Sequence, residues 1–143
     1  MNHVPVMVLD TSAIMSILRQ EEDALQIAAC IAAASSVCIS AVTRLEAFTV
    51  AMARGDIGSQ KLSEFLAQIA PQVIAFDEVQ SSLAMTAVKA FGKGHHPARL
   101  NFGDCCAYAL AKALNLPLLY KGNDFAQTDI ASALASTLAS PFA

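Results

Sequence analysis

The chain has 143 residues, the size of one domain, of which 55% are apolar and only 15% charged, with a mean hydropathy of +0.49. That balance excludes a disordered chain, because the apolar surface is ample for a core. A formal charge of -3 gives no bulk electrostatic reason to bind nucleic acid or anionic lipid, so any such binding has to come from a local site.

Val6 to Leu9 is a short apolar run that predicts a strand, and the polar Asp10-Thr11-Ser12 then introduces a helix through Ala13 to Leu18. Glu21, Glu22 and Asp23 put negative charge at the expected first turn of a second helix, with Leu25, Ile27, Ala28 and Ile31 as its apolar positions. Val37 to Ile39 follows as a second strand. The uncharged run from Ala24 to Thr43 has the length of a membrane span, yet alanine and serine dominate it and the Ser35-Ser36 pair divides it. It reads as helix, turn and strand. A helix from about Ala41 is expected to reach Arg54 and stop at Gly55, and another from about Ser59 to Ala70 stops before Pro71. Val73 to Phe76 gives a third strand, Glu78 to Phe91 a helix, and Gly92 to Pro97 a basic loop. A helix beginning near Phe102 ends near Asn115, Pro117 opens a last strand through Tyr120, and a loop from Lys121 to Asp129 leads into a terminal helix. Short apolar strands alternating with helices predict a parallel sheet covered on both faces, in a single three-layer α/β domain spanning residues 1–143.

Cys30, Cys38, Cys105 and Cys106 form no CxxC pair and no zinc spacing with His3, His95 and His96, so free thiols are expected, with one of Cys105 and Cys106 packing inward. The first residues carry no basic segment followed by an apolar one, which points to the cytoplasm.

In parallel α/β sheets ligands bind beyond the carboxyl ends of the strands, so acids placed just after strands are the first candidates. Asp10 follows the first strand directly, and Asp124 lies in the loop after the last. Glu46 has the helical neighbours Val42, Thr49, Val50 and Ala53, a largely apolar face, and a buried lone carboxylate needs a cation, a donor or a raised pKa. Asp104 stands in the first turn of its helix. Each acid also has a plain structural reading: Asp10 as a helix cap, Asp124 as a turn residue, Asp104 as a complement to the helix dipole. Four carboxylates brought together demand a cation, and Mg²⁺ or Mn²⁺, hard ions that prefer oxygen, would keep them ionised and reverse the local field towards phosphate.

Val8-Leu9-Asp10-Thr11-Ser12-Ala13, Glu46 in its helix, and Leu100-Asn101-Phe102-Gly103-Asp104-Cys105 together resemble the PIN-domain ribonucleases of the VapC toxin type, and Leu118 to Ile130 resembles the closing segment of one VapC subgroup. The resemblance implies a three-layer α/β/α PIN domain with a short, mostly parallel sheet. It implies an endoribonuclease in which Asp10, Glu46 and Asp104 form the core of a Mg²⁺ or Mn²⁺ site with Asp124 as the fourth carboxylate. Water activated by the metal would attack the phosphodiester and leave a 5′-phosphate and a 3′-hydroxyl. It also implies a toxin of a toxin-antitoxin pair, with RNA as substrate, a VapB-like antitoxin and a homodimer. Many members carry a Thr-x-Asp-x-Asp-Phe form in the closing segment, and here Gly122 stands where the first of those acids falls. Asp129 is therefore a further candidate ligand, with helix capping as its other reading. Thr11 or Ser12 is expected to hold Asp10 or a bound water.

Lys89, Lys93, His95, His96 and Arg99 precede Asp104 and suit RNA phosphates, or a solvated loop; Arg44 and Lys121 flank site residues. Two other readings stay open from the residues alone. A haloacid-dehalogenase-type phosphatase would want a second acid where Ser12 stands, and a PIN-like binding module without catalysis would use the carboxylates only as caps and turns.

Overall fold

Asp10, Ser40, Asp77 and Asn101 each accept a backbone N–H two or three residues onward, and each opens a helix at the end of an extended segment. This repeated junction organises the computed structural model, which describes residues 4–94 and 96–134. His3, His95 and the helix expected at the C-terminal end lie outside those residues. The elements are β1 (Met7–Leu9), α1 (Thr11–Leu18), α2 (Ala24–Ala33), β2 (Val37–Ser40), α3 (Ala41–Ala51), α4 (Gly55–Ile69), β3 (Gln72–Ile74), α5 (Glu78–Phe91), α6 (Phe102–Leu114) and β4 (Leu118–Leu119). Short 3-10 turns occupy Met52–Arg54 and Phe125–Gln127.

The strands pair in parallel in the order β3-β2-β1-β4, with Val8 opposite Cys38 on one side and Leu118 on the other. One face buries Leu9, Ile39 and Leu119 against Ile14, Ile27, Ala47 and Leu62 of α1 to α4. The other buries Val8, Cys38 and Leu118 against Ala87 of α5 and Leu110 of α6. Each such aliphatic side chain contributes about 1.5–3 kcal/mol, which sets the helix faces that turn inward. The expected three-layer arrangement and parallel sheet are present.

Four details differ from the sequence reading. β3 is an edge strand, and Gln72 and Val73 are exposed where a covered sheet was expected. Gly55 starts α4 instead of only ending α3: at φ 67 it lets the chain reverse directly, so the loop expected before Ser59 is absent. Asp23 does not sit inside the first turn of α2, which begins at Ala24; its carboxylate accepts from Ser16 Oγ at 2.5 Å. Cys105 and Cys106 are both buried, because α6 packs against α5, α3, β1 and β2 together. Among the described residues none of the four cysteines is joined in a disulfide, as expected.

Candidate active site

β1 delivers Asp10 at the carboxyl end of a central strand, where its backbone N–H donates to Leu119 O at 3.0 Å. The side chain is 2% exposed. Its Oδ2 accepts from Ser12 N at 3.0 Å and from Ser12 Oγ at 2.6 Å. Ser12 Oγ in turn accepts from Lys121 N at 2.9 Å, which directs its one proton to Asp10. The second oxygen, Oδ1, is buried and has no hydrogen-bond partner among the described residues. Burial pushes Asp10 up to about 7; the Ser12 bonds oppose this, and the charges of Asp104 and Glu46 add to it.

Glu46 comes from the second turn of α3. The buried stripe of that helix is Thr43, Ala47 and Ala51, and Glu46 is half-buried at its margin. The face formed by Val42, Thr49, Val50 and Ala53 is not the core face, since Thr49 and Ala53 are exposed. Thr11 Oγ1 donates to Glu46 Oε1 at 2.5 Å, so Thr11 serves Glu46 while Ser12 serves Asp10. Glu46 reaches the start of α6 only because residue 103 is glycine: a Cβ there would overlap the Glu46 carboxylate.

Asp104 forms a reciprocal cap with Asn101. Its N–H donates to Asn101 Oδ1 at 2.9 Å, and Asn101 N donates to Asp104 Oδ2 at 3.0 Å. The helix-start reading of Asp104 is therefore correct, and it leaves Oδ1 uncommitted among the described residues. Burial raises its pKa to about 6 against the Asn101 bond, with Glu46 and Asp124 adding repulsion. Asp124 is exposed beyond β4. Asp129 is placed differently: it takes Tyr108 Oη at 2.6 Å and Lys112 Nζ at 2.7 Å, and it acts on neither Asp10 nor Asp104.

Asp10, Glu46, Asp104 and Asp124 thus form one electrostatic group in which three carboxylates share a pattern. Each has one oxygen held by the protein and one left over: Oδ1 of Asp10, Oε2 of Glu46 and Oδ1 of Asp104. Among the described residues the acids do not close into a three-ligand cluster by themselves. The buried, unpartnered Asp10 oxygen and the all-oxygen donor set fit a hard divalent cation. The neighbouring cations do not neutralise the acids. Lys121 Nζ pairs with Glu21 at 2.9 Å and Asp23 at 3.5 Å, and exposed Arg44 lines a groove with Leu66 and Val73.

Sequence reasoning missed two contributions. The role of Gly103 depends on a contact with residue 46 that no local pattern shows. Phe102, an apolar residue at the start of a helix, is 78% exposed beside the acids. Its only signal was its place in the motif before Gly103-Asp104.

The family model described as PIN domain matches residues 7–131. Ribonuclease VapC30 of Mycobacterium tuberculosis is 41% identical over 127 residues, covering 88% of this chain and 97% of its own. The crystal structure of Mycobacterium tuberculosis VapC20, described as a sarcin-ricin loop cleaving toxin, superposes with a TM-score of 0.71 at 13% identity, over 87% of this chain and 95% of that one. A toxin-antitoxin complex from Klebsiella pneumoniae gives a TM-score of 0.62 at 18% identity, over 86% and 92%.

Proposed function

The chain belongs to the PIN-domain family, among its VapC-type ribonuclease toxins, and on that premise we propose that Asp10, Glu46, Asp104 and Asp124 hold Mg²⁺ or Mn²⁺ where RNA is cleaved. The chain is an endoribonuclease, the toxin of a toxin-antitoxin system. The observation that carries the metal assignment is the division of labour within each carboxylate: one oxygen is fixed by Ser12, Thr11 or Asn101, and the other is left for an ion.

One oxygen per carboxylate suits a small six-coordinate ion that keeps waters, and suits Ca²⁺ less, since Ca²⁺ gathers about six to eight oxygens and often takes a carboxylate by both. Bound there, the ion supplies an activated water and offsets charge on the scissile phosphate. Ser12 and the Lys121 N–H orient Asp10, Thr11 turns Glu46, and Asn101 fixes Asp104 at the head of α6. Asp124, exposed and without such a tether, completes the set from the far side of β4; Asp129 belongs to the Tyr108-Lys112 pairing.

The whole chain acts in this reading as one PIN domain in the cytoplasm, with RNA as substrate, a VapB-like antitoxin as inhibitor and a second copy as partner. The likeness to a toxin-antitoxin complex supports the antitoxin. Among the described residues no helix is long and apolar enough to cross a membrane.

The test is cleavage of end-labelled total small RNA with Mn²⁺, Mg²⁺ or EDTA, beside folded Asp10→Asn and Asp104→Asn. Discrete fragments that require metal and vanish in both variants are expected. Fragments that persist in EDTA, or a parent protein that binds no divalent ion by calorimetry, would overturn the metal assignment.

A further inference from the structure

Phe102 is out of place on ordinary packing grounds. It is 78% exposed, more than any other described aromatic residue, belongs to neither core and makes no ring contact among the described residues. It opens α6 between the capping Asn101 and Gly103, two residues before Asp104, at the helix end where the Gly103 backbone meets the Glu46 carboxylate. A single exposed apolar side chain is common on proteins, but this one has a cationic neighbour of unusual order.

Residues 92–94 and 96–100 close on each other and are not a loose loop. Gly92 and Leu100 pair as a bridge, with Lys93 N donating to Leu100 O and Leu100 N to Phe91 O. Ala98 N donates to His96 Nδ1 at 3.0 Å, and the His96 ring meets Phe91 edge-on at 5.2 Å, which leaves Nε2 as the remaining ring nitrogen. Arg99 is held at φ 55, a left-handed conformation that persists only where its surroundings enforce it. Gln127 Nε2 spans from Pro97 O at 3.4 Å to Asn123 O at 3.5 Å, tying the segment to the stretch that carries Asp124. Lys93, His96 and Arg99 share the rim of an open recess of about 440 Å³. None of the three forms an ion pair among the described residues, and none acts on Asp104, so their N–H groups are not taken up by the acids.

We propose that Phe102 and the Lys93-His96-Arg99 rim form a two-part grip on the RNA substrate, the ring stacking on one unpaired base beside the scissile bond and the rim holding flanking phosphates. Stacking needs a flat, exposed ring and tolerates any base, and phosphate contacts need cations or N–H donors in a fixed frame: Lys93 and Arg99 bring the charge, and His96, whose Nδ1 accepts the Ala98 N–H, offers Nε2. Phe102 opens the helix that carries Asp104, and Gln127 ties the rim to the stretch that carries Asp124. The grip rests on the RNA-cleaving reading above and adds to it how an acidic protein retains a polyanion.

The chain contains no tryptophan, so Phe102→Trp creates a single fluorescent reporter at the point of contact. Total small RNA, added to the full-length variant, is expected to quench it saturably. Filter binding of the same RNA, end-labelled, should weaken about tenfold in Phe102→Ala and recover in Phe102→Tyr. In Lys93→Gln/Arg99→Gln the slope of log affinity against log salt should fall by about 1.4–1.8 between about 50 and 200 mM, the loss of two phosphate contacts. Arg19→Gln/Arg54→Gln changes the net charge equally and should leave the slope as it is. The grip is overturned if RNA leaves the tryptophan signal unchanged, or if both charge variants lose equally. It is also overturned if Phe102→Ala alters sedimentation of the chain while RNA binding is intact, which would make Phe102 a protein contact. Metal-dependent cleavage is scored separately: binding without cleavage counts against the nuclease reading and leaves the grip standing, whereas cleavage with unchanged binding defeats the grip alone.

Discussion

Asp10 is buried at the end of a central strand with Ser12 donating twice to its carboxylate, whereas Asp124 stands exposed after β4 with no side-chain hydrogen bond among the described residues. Both would supply a carboxylate to the proposed site, yet only the first costs desolvation on folding, offset in part by the serine. The buried acid is therefore fixed before any ion or substrate arrives, and the exposed one adjusts to what arrives. Such a division sets a position with one half of a site and leaves the other half to adapt.

The comparison breaks most directly by neutralising one acid at a time. Asp10→Asn is expected to lower RNA cleavage about a thousandfold, and Asp124→Asn only about tenfold; equal losses in a gel-based rate assay would show that burial does not rank the two. A smaller effect follows from the raised pKa of Asp10. Between its ordinary value of 3.8 and about 7 the folded chain keeps a proton that the unfolded chain has released. This group's contribution to metal-free stability is thus full below about pH 4 and is lost as pH rises through 7, by on the order of a few kcal/mol. Urea unfolding in EDTA should show the decline, Asp10→Asn should remove its larger part and leave the share of Asp104, raised to about 6, and Asp124→Asn should change it little.

Gly103→Ala sharpens the comparison from the other side. Alanine suits a helix better than glycine by about 1 kcal/mol, so the thermal midpoint should hold or rise. The new Cβ takes the space of the Glu46 carboxylate, and cleavage and metal affinity should fall about tenfold. A variant that loses stability and activity together would mean that Glu46 cannot swing away. The smallest effect is expected at Asp129, whose partner is Lys112. Asp129→Asn should change cleavage less than about threefold and stability by no more than about 1 kcal/mol, as for other exposed pairs.

How far the sequence foretold the site follows from what each residue depends on. Asp10 was legible because a short apolar run, an acid and two hydroxyl residues make a strand-to-helix junction entirely through local bonds. Asp104 was legible by its cap for the same reason. Glu46 was singled out through the wrong face, since the core stripe of α3 passes through Thr43, Ala47 and Ala51, small residues that a hydrophobic pattern underweights. The turn at Gly55 was read as a stop because glycine ends helices more often than it opens them. Gly103 and Phe102 were invisible as functional positions: one matters through a residue far away in sequence, the other through the absence of any neighbour.

The strand order β3-β2-β1-β4 also has a consequence in time. β1 is made before its partners; β2 follows after α1 and α2, but its other neighbour, β4, comes only after α3 to α6. The Asp10 N–H waits for Leu119 O, and the Ser12 hydroxyl waits for the Lys121 N–H. A contact of such sequence separation forms late and slowly. During synthesis Asp10 is therefore present long before it is set, and an activity directed against RNA stays unassembled until Leu119 and Lys121 have been made and have folded back onto β1.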